Sequence, residues 1–187
     1  MGSVWRDARS IADLGQTMAD WLEGRIPSWP GYDGPFGQEE EGGARHLIPV
    51  LAAVNRAGFV TVDSQPGTVS RDSTGEVTWR QRAYVQGVID RRNPLLDRLV
   101  VAAKQTGLTV HRGTRRPDES IVLTEVRGEP FTGITTKLRR NYLAREWNGI
   151  GKHALKELRT YGVHLLICDY VWASDRRLWP LLTEAVR

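Results

Sequence analysis

The chain has 187 residues, with 26 lysines and arginines against 22 aspartates and glutamates, a formal net charge of +4 and one cysteine. That length suits one domain burying about 70% of the surface of its unfolded chain, and it leaves no room beside such a domain for an eight-fold βα barrel, which takes ~250 residues. One cysteine forbids an intramolecular disulfide, no apolar run approaches the ~18 residues of a membrane span, and Met1 to Asp7 lack the apolar core of a signal peptide, so a cytoplasmic protein with no membrane partner is expected.

In chain order, Ser10 and Asp13 make a capping-box start for an amphipathic helix carrying Ile11, Leu14, Met18, Trp21 and Leu22, which ends at Gly24. A loop rich in proline and glycine runs from Pro27 to Gly43. It exceeds the usual ~12–15 residues of an unstructured connection, which points to a functional loop folding over a ligand. Leu47, Ile48, Val50, Leu51 and Val54 recur at helical spacing, predicting a helix from about Arg45 to Ala57 with Gly58 as its left-handed cap. Phe59, Val60 and Val62 then read as a short buried strand stopped by Pro66-Gly67. Thr61, Asp63, Ser64 and Gln65 fall near its carboxyl end, the edge that ligands favour in sheets with helices packed on them. The same groups also suit an ordinary turn in which Asp63 and Ser64 bond their own backbone.

Gly67 to Gly75 reads as a second polar loop and Gln81 to Ile89 as a helix. Asn93 caps the next helix, with Pro94 in its first turn, Leu95, Leu96, Leu99, Val100 and Ala103 inside and Gly107 beyond its end. Thr109 to His111 and Ile121 to Val126 are predicted strands, and Phe131 to Thr136 a strand or an extended ligand-facing segment. An arginine-rich helix from about Leu138 to Trp147, a helix from Lys152 to Thr160 closed near Gly162, a buried strand from Val163 to Cys168 and a last helix from Trp179-Pro180 complete the chain. With no internal repeat or linker, residues 1–187 read as a single α/β domain, a mixed sheet with helices packed on it.

The basic pairs Arg91-Arg92, Arg115-Arg116, Arg139-Arg140 and Arg176-Arg177 could contact phosphates, but interleaved acids favour a solvated mixed surface over a nucleic-acid face. His46, His111, His153 and His164 show no metal-ligand spacing, and Cys168 in its apolar run reads as a buried thiol.

Asn55 to Pro66 resembles the start of the regulatory domain of eukaryotic methylenetetrahydrofolate reductase, where an "LNRxGxLTINSQP" run precedes a "QKAY" segment, matched here by Gln81-Arg82-Ala83-Tyr84. Ser28 to Pro35 is similar to that domain's "LPWNDEP" stretch, and Val163 to Trp179, with Asp169, Asp175, Leu178 and Trp179, to its closing strand and "DNCLW" segment. The chain also resembles an uncharacterised family of small actinobacterial proteins with an "NRAGFVTxxSQPG" core. The first resemblance implies a regulatory-domain fold that binds S-adenosylmethionine or S-adenosylhomocysteine as a signal, without the flavin-binding catalytic barrel, and requires no cofactor. By that likeness Thr61 and Ser64 supply hydroxyls, Thr132 or Thr135 a further hydroxyl, and Glu40 or Glu41 the acid preceding the helix. The family's threonine beside that acid is absent, and Gly42-Gly43 stand as an insertion. Asp63 and Gln65 add a carboxylate and an amide, and Trp29 or Tyr32 a ring for adenine or sulfonium.

The leading expectation is therefore a stand-alone sensor of an adenosyl ligand, with a protein partner or a homodimer compatible with that role. One alternative is a small enzyme acting on such a nucleoside, with Asp63 or a glutamate among 39–41 as general base. The other is an interaction protein, nucleic-acid-associated or not, that keeps the fold without the ligand.

Overall fold

The computed structural model describes residues 3–31, 34, 36, 44–112, 120–135 and 147–187. Six α-helices and eight strands are seen among them: α1 (Ser3–Asp7), α2 (Ile11–Leu22), α3 (Ile48–Arg56), β1 (Phe59–Gln65), β2 (Thr68–Arg71), β3 (Val77–Gln81), β4 (Tyr84–Asp90), α4 (Leu95–Gln105), β5 (Thr109–Arg112), β6 (Ser120–Val126), β7 (Glu129–Thr135), α5 (Lys152–Tyr161), β8 (Gly162–Cys168) and α6 (Leu178–Ala185). The α/β class stands, with the strands divided between two wholly antiparallel sheets, ordered β1-β4-β8-β5 and β2-β3-β6-β7.

The capping box is formed as the sequence predicts. Ser10 Oγ accepts from the Asp13 N–H at 3.0 Å, and the Asp13 carboxylate accepts from the backbone of Ser10. Asn93 accepts from the Leu95 N–H at 2.9 Å at the start of α4. The helices cover one face of the first sheet. Val85 and Ile89 of β4, with Leu165 and Ile167 of β8, join Leu14, Leu51, Leu96 and Leu158 in one large core. On the other face, Tyr84, Leu166 and Cys168 pack against Ile121 and Leu123 of β6, a small second core that joins the two sheets.

Two expected elements differ. Gln81 to Ile89, expected as a helix, is the end of β3 followed by β4. β4 is central in its sheet and nearly every residue is buried, so both faces are covered and the alternation that marks a strand is lost. The polar segment after Gly67 contains β2, a fully exposed edge strand whose Thr-Val-Ser-Arg sequence carries no core-facing pattern. The arginine-rich helix expected from Leu138 lies outside the described residues up to Trp147.

The turn from α3 into β1 is built around Asn55. Gly58 takes φ +98°, a left-handed conformation that suits glycine. Across that turn the fully buried Asn55 side chain donates to Leu51 O at 2.8 Å and Thr61 Oγ1 at 2.7 Å, and accepts from the Thr61 N–H at 2.9 Å. β1 then carries a bulge. Thr61 pairs with Gly87 and Asp63 with Gln86, so two residues that would share a face of a regular strand point to opposite faces. A side chain at Gly87 would place its Cβ 2.2 Å from Val60 O and 2.7 Å from Thr61 Cα, so the strands can approach at the bulge only over a glycine.

Replacing Asn55 with alanine leaves the buried Thr61 N–H without an acceptor. A loss of about 3 kcal/mol is expected from urea unfolding of Asn55→Ala, against about 1 kcal/mol for Thr61→Val, which removes only the hydroxyl.

Candidate functional site

The bulge decides which face of the sheet each polar residue of β1 takes. Thr61, expected at the strand's mouth, is 5% exposed and closed off by Asn55 on the helix side. Asp63 turns to the opposite face. There its Oδ2 accepts from Tyr84 Oη at 2.5 Å and from Gln86 Nε2 at 3.3 Å, and Gln86 Oε1 meets His164 Nε2 at 3.2 Å. The result is a row of polar side chains crossing β1, β4 and β8 on the side away from the helices. Gln65 pairs with Tyr84 and so belongs to the same face. Its Nε2 is buried without a hydrogen-bond partner among the described residues, as is His164 Nδ1. From Gln65 to His164 the row spans two strand spacings and four residues, about 16 Å between Cα atoms.

Burial sets the electrostatics of the row. Asp63 is exposed as a residue, but the packing around its carboxyl pushes that group above the usual carboxylate range, although hydrogen bonds from Tyr84 and Gln86 pull the other way. Tyr84 is pushed up by burial and then by the Asp63 charge, and so stays a phenol that donates to the carboxylate. His164, 3% exposed, is lowered to about 4 by burial and by the neighbouring His111 of β5, and is a neutral imidazole at neutral pH. The Cys168 thiol on this face is pushed up to about 12 by burial, which keeps it protonated and unreactive.

Sequence reasoning found Asp63 and Gln65 but missed Tyr84, Gln86 and His164. The available signal was a polar residue inside an apolar run: Gln86 in Tyr-Val-Gln-Gly-Val-Ile, and His164 in Val-His-Leu-Leu-Ile. Two such residues become neighbours only through the pairing of β4 with β8.

The remaining expected residues lie elsewhere. Ser64 is half-buried and alternates to the face opposite Asp63. Trp29 is half-buried in an aromatic cluster on the helix side, its ring 5.9 Å from that of Trp21 and 5.6 Å from that of Trp147. Thr132 sits on β7 in the second sheet, where its hydroxyl and N–H both bond Thr124 Oγ1. Thr135 ends β7 opposite Ser120. Tyr32, Glu40 and Glu41 lie outside the described residues.

The stretches resembling a regulatory domain are largely joined to one another. Gly67 N–H donates to Asp175 Oδ1 at 2.6 Å, and Trp179 Nε1 donates to the same oxygen at 2.9 Å. Gln81 Nε2 donates to Pro66 O at 2.7 Å. The buried Asp169 is disfavoured as an anion by burial, but Arg177, the Val171 N–H and Ser174 more than compensate and hold its carboxyl below the usual range. A groove of about 530 Å³ runs between α3 and α6, but its lining is mostly apolar and its one carboxylate, Asp175, is already engaged. Among the described residues no group of three or more His, Cys, Asp or Glu could hold a metal ion, and no helix is long and apolar enough to cross a membrane.

The chain belongs to the family described as Domain of unknown function (DUF6919), whose model matches residues 1–187. No curated protein matches the chain.

The buried neutral His164 fixes the sign of an acid dependence. Above its ordinary value of 6.5 the imidazole is neutral in both folded and unfolded chains; between 6.5 and about 4 only the unfolded chain takes up the proton, so stability is lost as pH falls through that window. The raised Asp63 acts with the opposite sign, so the measurement is a difference between two proteins that both retain it. Between pH 7 and 4, wild type should lose roughly 3 kcal/mol more unfolding free energy than His164→Asn, measured by urea titration.

Proposed function

We propose that this family member is a binding or sensor module for S-adenosylmethionine, S-adenosylhomocysteine or a related adenosyl nucleoside, and that the ligand lies along the polar row of the first sheet. The observation that carries the reading is the Asp63–Gln86–His164 row itself, flanked by buried polar atoms of Gln65 and His164 that have no partner among the described residues. Buried polar groups are normally paired, so two orphans on one face are what a polar ligand would satisfy. The chemistry matches the ligand class. Asp63 offers a carboxylate to a ribose hydroxyl pair or to a sulfonium or ammonium, the Gln65 amide donates to a carboxylate or a ring nitrogen, and His164 accepts from an N–H or O–H.

The resemblance of Asn55 to Pro66, Gln81 to Tyr84 and Val163 to Trp179 to the methylenetetrahydrofolate reductase regulatory domain supports the same reading. Thr61 takes a structural part in it and Asp63 the recognition part. Cytoplasmic location fits such a sensor. A second reading, a small enzyme acting on the nucleoside, is favoured by one observation: the exposed Asp63 carboxylate, held by Tyr84 and Gln86, is placed as a general base.

Calorimetric titration with each adenosyl ligand tests the proposal. Wild type should give heat and a rise in melting temperature, because ligand at one hundred times its dissociation constant stabilises by about 2.7 kcal/mol. Asp63→Asn should lose at least about tenfold in affinity, and Thr61→Val should keep it, since that hydroxyl faces Asn55. No heat from either ligand at millimolar concentration overturns the sensor reading. Mass spectrometry of the ligand after incubation separates the two readings, with an unchanged ligand expected for a sensor.

A further inference from the structure

We infer that the Nδ1 atom of His164 is a fixed hydrogen-bond acceptor that selects, at this site, ligands presenting an N–H or O–H group to it. The inference rests on the polar row being the ligand site and adds which chemical group the row demands at its β8 end.

Each donor along the row must face an acceptor, which fixes the hydrogens from the Asp63 end. An ionised Asp63 can only accept, and its Oδ2 already takes the Tyr84 hydroxyl hydrogen, so the Gln86 amide must turn its NH₂ toward Asp63 and its carbonyl toward His164. That carbonyl also only accepts, so the hydrogen between Gln86 Oε1 and His164 belongs to Nε2. A neutral imidazole carries one such hydrogen. The lone pair is therefore left on Nδ1, which is buried, has no partner among the described residues, and belongs to a residue 3% exposed. The carboxylate thus sets the tautomer of an imidazole two strands away through one amide. Gln86 is a positioning residue, and His164 is the residue that discriminates. A ligand offering an acceptor at that point meets lone pair against lone pair; one offering a donor completes the row.

The test reads the tautomer and the ligand contact on the same atom. In protein labelled with ¹⁵N-histidine at pH 7, long-range ¹H–¹⁵N spectra should show a protonated Nε2 and an unprotonated Nδ1 for His164, assigned by the signals missing from His164→Asn. Titration with S-adenosylmethionine, S-adenosylhomocysteine and adenosine should move the Nδ1 resonance toward the protonated end while Nε2 stays in place. His164→Asn, which keeps an acceptor near the Nδ1 position, should bind within a few-fold of wild type. His164→Leu should lose about 10- to 100-fold. Should either variant fail to fold, the wild-type spectra decide alone.

A protonated Nδ1, or an Nδ1 signal that does not move under a ligand giving calorimetric heat, overturns this inference and leaves the adenosyl-sensor reading standing. An Nδ1 shift with adenosine but not with the two amino-acid-bearing ligands upholds the inference and overturns S-adenosylmethionine and S-adenosylhomocysteine as the ligands. Silence in both heat and spectra from all three overturns both.

Discussion

The Asn55 side chain is the contact on which the rest of the architecture turns. A helix-to-strand turn leaves backbone groups unsatisfied at its inner side, and in a buried setting each must find a partner. One carboxamide serves two of them, Leu51 O and the Thr61 N–H, and bonds the Thr61 hydroxyl as well, holding the last turn of α3 to the third residue of β1 across Gly58. By taking both the N–H and the hydroxyl of Thr61, it commits that residue to the helix side. The strand then accommodates Val62 as an extra residue and resumes its pairing with Asp63 on the other face. An amide in the core thus aims a carboxylate on the far side of the sheet.

The polar row is costly for a fold that buries most of its first sheet on both faces. Desolvation disfavours the Asp63 anion, while the phenol of Tyr84 and the amide of Gln86 answer part of that cost. At the β8 end the Gln86 carbonyl answers His164 Nε2, while Nδ1 meets no partner among the described residues. A chain selected only for stability would fill that position with leucine or valine, as it does at Leu165 and Ile167 alongside. Retention of a histidine and a glutamine inside apolar strands is the kind of local inconsistency expected where function is placed.

Much of the framework was legible in the sequence because the signals are local. The Ser10 box, the α3 periodicity with its glycine stop, the Asn93 cap and the apolar run of β8 each depend on residues within a few positions of one another. β4 was not legible as a strand, because covering both faces erases the alternation by which strands are recognised, and Ala83, Tyr84, Val85, Val88 and Ile89 can equally be read at helical spacing. The site was half legible. Asp63 and Gln65 stood out beside a turn, but the bulge that separates Thr61 from Asp63 depends on Gly87, more than twenty residues on, and the partnership of Gln86 with His164 depends on strand pairing across 78 positions.

The second sheet is assembled from two excursions. β2 and β3 lie between β1 and β4, which pair directly with each other, and β6 and β7 lie between β5 and β8, which also pair directly. The first sheet and its helices therefore close without them, and the excursions meet the core sheet chiefly through Tyr84, Leu166 and Cys168. Such a plan decouples two kinds of change. Residues added to or trimmed from the excursions alter the second sheet while the helix-packed half keeps its spacing, so relatives can diverge there with no compensating alteration in the scaffold.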